Sequence, residues 1–235
     1  MACSIRAACG RGCEMLRIDE ITDIVLKSTL KASSDYVDFS GDQTIHDFGV
    51  EFLISAQIAR GIIRKARGFK KREEAYVTLE SPFRYIRKDA RVSPRRGRPR
   101  KSFEGKSRVD LIYYDRRGRA VGVFEVKRHL SYANLEKDVC RIRDILSEVG
   151  RKKMGSVKFG CLASIREINN RQKKYTSEIA EEIKQEIVRQ FPSLACVVGN
   201  RRKKLPKSMV YRNDRDEKVT LTGFEAVCFY ITLKN

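Results

Sequence analysis

The sequence predicts an α/β fold, a central mixed β-sheet flanked by helices. Three observations carry this. Short runs rich in β-branched and aromatic residues alternate with longer stretches of helical periodicity, the pattern of strands and helices laid around one sheet. Hydrophobic residues make up 41% of the 235-residue chain, enough for a sizeable core. Residues 108–127 read as a β-hairpin, with two oily runs flanking a charged turn that contains Gly118. The chain divides into an N-terminal extension with one helix (1–46) and a main domain (47–235) that contains a basic loop (91–107). It shows no internal repeat.

Taken in order, Ile18, Ile21, Ile24, Val25 and Leu30 predict a helix over 18–32, with Asp19 and Glu20 favourable in its first turn. Residues 33–44 are polar and read as a loop. A second helix is expected over 47–66. Phe48, Phe52, Ile54, Ile58, Ile62 and Ile63 make it apolar over most of its circumference, so it should be largely buried. Glu51 is its one interior acid. Either it lies on an exposed stripe or pairs with a base, or it points at the carboxylates of the hairpin. Residues 75–79 alternate weakly and read as a first strand that continues towards Ile86. Pro94 and Pro99 among many bases make 91–102 a loop, expected to lack fixed structure without a ligand.

Beyond the hairpin, Ser131 reads as the N-cap of a helix to 148. Leu135, Val139, Ile142 and Leu146 give it one apolar face, and Gly150 ends it. A strand is expected over 156–165. A helix over 173–191 carries Ile179, Ile183, Ile187 and Phe191 at a spacing of four. Residues 195–198 read as a short strand, 201–207 as a basic stretch, and 209–212 and 225–233 as closing strands.

The chain carries 50 Lys and Arg against 30 Asp and Glu, a formal net charge of +20. Such an excess points to a polyanion, most often nucleic acid. It is also concentrated. Residues 14–51 hold nine acids and three bases, whereas 60–107 hold seventeen bases and five acids, which favours a binding surface over a general solubility device. No stretch approaches the roughly 18 apolar residues of a spanning helix, so no membrane partner is expected. The N-terminus lacks the apolar run of a secretory signal. The seven cysteines are therefore read as reduced thiols in a cytoplasmic compartment. Cys140, Cys161, Cys196 and Cys228 sit in apolar contexts and read as core residues. Cys3, Cys9 and Cys13 cluster, but not at a common zinc spacing.

If the hairpin loop is the two residues Arg117-Gly118, position i pairs with 235 minus i, and Asp110 faces Glu125. Like charges directly opposite one another are destabilising, so this pair calls for a cation. Lys127 lies two residues past Glu125 and projects from the same face.

The order helix with Glu51, strand, strand with Asp110, strand with Glu125-Val126-Lys127, helix, strand resembles the PD-(D/E)XK nuclease superfamily and its restriction-endonuclease-like core. The resemblance covers roughly 47–165. Val109 stands where many members carry proline. The resemblance implies a metal-dependent DNA endonuclease. Asp110, Glu125 and the Val126 carbonyl would hold Mg²⁺, with Mn²⁺ able to substitute. Lys127 would orient or deprotonate the attacking water, or stabilise the charge of the transition state. Glu51 would hold a second metal or a metal-bound water. Arg128 and His129 follow the site and either contact phosphate or stay solvated.

Within the basic loop, Arg96-Gly97-Arg98-Pro99-Arg100-Lys101, preceded by Arg95, resembles the AT-hook. That motif implies an extended segment lying in the minor groove of A·T-rich DNA. A less specific phosphate-contacting loop is the other reading. The expected partner is duplex DNA, and a homodimer would suit cleavage of both strands. The competing functions are a non-catalytic DNA-binding protein on a nuclease-like fold and an RNA-processing nuclease.

Overall fold

In chain order the elements are α1 (Ile18–Ser40), α2 (Glu51–Arg67), β1 (Tyr76–Pro82), α3 (Phe83–Asp89), β2 (Arg108–Tyr114), β3 (Ala120–Lys127), α4 (Tyr132–Val149), β4 (Phe159–Asn169), α5 (Thr176–Gln190), β5 (Leu194–Arg212) and β6 (Lys218–Leu233). The structure, a computed structural model, describes residues 16–40, 50–67, 75–90, 108–150, 155–213 and 215–234. The predicted mixed sheet is present. Its six strands run in the order β1-β2-β3-β4-β6-β5. Only β3 and β4 are parallel, joined by the crossover helix α4 that such a pair requires. The other neighbours are antiparallel.

Both faces of the sheet are covered. Ile21, Val25, Ile54, Ile58 and Ile62 of α1 and α2 join Phe124, Val126, Cys161 and Ala163 on one face. Helices α3, α4 and α5 close the other over Val123, Leu162 and Phe229. A central strand covered on both sides loses its alternation, and β3 is buried at every position before Lys127. Gly122 makes room within it, since a Cβ there would stand 2.2 Å from the Phe159 ring.

Several element boundaries differ from the sequence expectation. Helix α1 continues through the stretch read as a loop, to Ser40. Ser33 and Ser34 donate their hydroxyls to the Thr29 and Leu30 carbonyls one turn back, and Val37 is buried, so the polar run is satisfied inside the helix. Helix α2 is one-sided rather than buried all round: Ile54, Ile58 and Ile62 face the core, while Phe52 is 62% exposed. Strand β1 stops at Pro82 instead of running towards Ile86, and α3 begins there. Proline suits a helix start, and Phe83 and Ile86 turn inward. Ser131 does occupy the N-cap of α4, but without a side-chain cap; its carbonyl accepts the Leu135 N–H instead. The two short C-terminal strands and the basic stretch between them are one strand, β5. It lies at the sheet edge, where Pro206 is tolerated within an irregularity between Lys204 and Met209.

Cys161, Cys196 and Cys228 are buried and Cys140 half-buried, all as free thiols. Cys3, Cys9 and Cys13 lie outside the described residues, as do Arg95 to Lys101. Among the described residues no helix is long and apolar enough to cross a membrane.

Candidate active site

The hairpin has the predicted register by a different route. Its loop is three residues, 116–118. Gly118 N–H donates to the Asp115 carbonyl, and Asp115 N–H to the Arg119 carbonyl. Gly118 has φ +66°, the left-handed conformation that a three-residue loop of this kind needs. The longer loop alone would displace every pair by one. A bulge restores the register: Tyr114 pairs with Ala120, but Tyr113 pairs with Gly122, leaving Val121 as the extra residue. Leu111 then faces Phe124, so Asp110 and Glu125 stand next in line. Asp115, at the start of the turn, is buried and paired with Arg119.

At that end of the hairpin the backbone ladder gives way to side chains. Val126 N–H donates to Asp110 Oδ2 at 2.7 Å. Two residues on, Arg128 N–H donates to Glu51 Oε1 at 3.2 Å. The two acids therefore hold the end of β3 on either side of Lys127. Glu51 reaches it from the first turn of α2, on the opposite face of the sheet from α4. Asp110, Glu125, Lys127 and Glu51 are thus brought together. A strand residue directs its N–H and C=O to the same side, so the Val126 carbonyl faces the Asp110 side as well.

Helix α4 adds two residues that sequence reasoning missed. Arg141 Nη1 lies 3.2 Å from Glu125 Oε1, and its Nη2 bonds Asp138 Oδ1. Lys127 Nζ lies 3.4 Å from Asp138 Oδ2, an oxygen with no hydrogen-bond partner. Glu125 and Asp138 are each only 1% exposed. Asp138 was legible in principle. It falls three residues after Leu135 and four before Ile142, inside the apolar stripe of α4. A charge in a buried stripe requires a partner.

The electrostatics follow from this packing. Burial, then the charge of Asp110, pushes the Glu125 carboxyl well above the usual range, against the pull of Arg141. Burial also raises Asp110, offset in part by the Val126 N–H and Lys127. For Lys127 burial is the largest single influence and lowers it. Asp138, Glu51, Asp110 and Glu125 together outweigh it, and the ammonium is held above its ordinary value. Burial and the Arg128 charge lower His129.

A carboxyl whose folded pKa is raised contributes stability below its unfolded pKa and loses that contribution as pH rises through the folded one. The metal-free protein is therefore expected to lose thermal stability as pH rises above the ordinary carboxyl range, on account of Glu125. The Glu125→Gln variant should show a flatter profile, and parallel melting curves above that range would contradict this assignment.

Among the described residues no three His, Cys, Asp or Glu side chains are grouped to hold a metal ion. A Mg²⁺ site does not require three, because that ion is usually held by one or two carboxylates, waters and substrate phosphates. Asp110 and Glu125 fit this requirement. Buried Glu125 has its proton affinity raised further by half-buried Asp110 beside it, which a cation between them would relieve. No known protein family, no curated protein and no solved structure matches the chain.

Proposed function

We propose that this protein is a metal-dependent DNA endonuclease of the PD-(D/E)XK type with a restriction-endonuclease-like core. The observation that carries the reading is the meeting of Asp110, Glu125 and Lys127 at one end of the hairpin, with Glu51 bonded to the same chain end. Asp110, Glu125 and the Val126 carbonyl would hold Mg²⁺, or Mn²⁺ in its place. When bound, the ion would acidify a water and polarise the scissile phosphate. Lys127, kept as an ammonium by four carboxylates, is suited to stabilising negative charge on the phosphoryl group rather than to removing a proton. Asp138 positions Lys127, and Glu51 fixes the chain where β3 ends.

The basic excess provides the attraction to duplex DNA, and the AT-hook-like segment at Arg96 to Lys101 would contact it. That segment ends nine residues before Asp110 in the chain. A reducing, cytoplasmic setting accords with the free thiols.

One observation favours a second reading. Arg141 already places a positive charge on Glu125. On a nuclease-like fold without catalysis, that guanidinium would stand where a metal ion otherwise would. The deciding experiment is supercoiled plasmid incubated with purified protein in Mg²⁺, in EDTA, and with Glu125→Ala. Nicking or linearisation that needs Mg²⁺ and Glu125 supports the endonuclease. Tight duplex binding with no cleavage in any divalent metal supports the second reading. An RNA-processing role predicts that structured RNA is cut in preference to duplex DNA.

A further inference from the structure

Among the described residues strand β5 forms one edge of the sheet, and it carries no acidic residue. Its bases are unevenly placed. Residues 194–200 contain none, while Arg201, Arg202, Lys203, Lys204 and Lys207 follow within seven positions. The register shows where this half lies. Lys127 pairs with Ser164, Ser164 with Val227, and Val227 with Asn200. The row of residues that contains Lys127 therefore ends at Asn200. Strand directions carry the basic half past that row, towards the end of the sheet where β3 delivers Lys127.

Charges on an edge strand often only prevent strand addition. Such a role would spread them along the whole edge, including the exposed Val197, and here they occupy the site end alone. Arg201 is paired with Asp23 of α1. Arg202, Lys203, Lys204 and Lys207 are exposed and make no ion pair with another described residue. Arg202 also lines a cleft with Lys173 and Lys174, just before α5 begins, and with one acid, its cross-strand neighbour Glu225.

We propose that this edge is a seat for the phosphate backbone of duplex DNA, flanking the scissile position. The proposal rests on the endonuclease reading for its partner and for the place of cleavage. Three strand spacings put β5 roughly 14 Å to the side of Lys127. From Asn200 to Met209 the partner strand advances only from Val227 to Leu221, so the basic stretch spans roughly 20 Å, the length of about six phosphates of one DNA strand. The surface has the charge and the reach to follow a backbone that passes the site.

The test is fluorescence anisotropy of a 30-base-pair duplex in EDTA, which reads binding apart from cleavage. Arg202, Lys203, Lys204 and Lys207 are replaced together by Ala. A control variant loses Arg60, Lys158, Lys184 and Arg189, so that net charge falls equally. The β5 variant is expected to bind at least 10-fold more weakly at about 0.15 M salt, and its slope of log affinity against log salt should be shallower by about 3 to 4. The control should stay within about threefold of the wild type. A β5 variant that binds like the wild type, or loses no more than the control, overturns the proposal. So does a wild type that binds anionic phosphatidylserine vesicles but not duplex. Cleavage by the wild type with an unaffected β5 variant removes the seat and leaves the endonuclease. Binding lost in the β5 variant, with no cleavage by the wild type in Mg²⁺, removes the endonuclease and leaves the seat.

Discussion

Replacing Lys127 with Ala is expected to lower the single-turnover cleavage rate in Mg²⁺ by about 10²–10³-fold, the loss typical of removing one group aimed at developing charge. Duplex affinity measured in Ca²⁺ should change by less than about threefold, since one exposed phosphate contact is worth little against a basic surface of this extent. Lys127 is about one-quarter exposed, ringed by Asp138, Glu51, Asp110 and Glu125, and held charged by them. Lys127→Arg therefore separates two roles. A charge stabiliser should be rescued in part by guanidinium, whereas a proton acceptor should not, because Arg stays protonated. Arg as inactive as Ala, with a wild-type rate that climbs with pH through a lysine-like value, would assign the base role instead.

The second large effect is expected at Asp138, and it is one of stability. The carboxylate is buried and serves both Arg141 and Lys127. Removing one partner from a buried ionic group leaves charge without compensation and costs about 3 kcal/mol. For a domain of this size that lowers Tm by about 6–12 °C. Asp138→Ala tests this by thermal melting. Asp138→Asn then tests positioning, because it keeps the shape and removes the charge. Without the Asp138 carboxylate, the largest of the charges that raise Lys127, the lysine should lose its proton more readily. The alkaline limb of the cleavage profile should move to lower pH. A limb that stays in place while Tm falls would make Asp138 purely structural.

How legible this was in the sequence differs from one element to the next. The hairpin could be read because each strand is a continuous oily run and the acids mark one end. The expected loop is one residue too short and a bulge at Val121 compensates, so the expected register, which the ladder carries as far as Leu111 and Phe124, holds for an incomplete reason. Glu51 could be read only as an acid in an oily helix. Its bond to Arg128 N–H joins residues 77 positions apart, which local pattern does not encode. Asp138 and Arg141 were hidden by reading α4 only for its apolar spacing. The basic half of β5 was visible as a charge run, but not as a strand. Pro206 argues against a central strand, and only the sheet order reveals that β5 is an edge.

The most direct measurement is an anomalous-difference map from a crystal of the protein soaked in Mn²⁺. Density between the Asp110 and Glu125 carboxylates, with Arg141 drawn away from Glu125, is the expected result. A fully occupied Arg141–Glu125 pair with no density at these acids, at Mn²⁺ concentrations that saturate any cleavage, would contradict it.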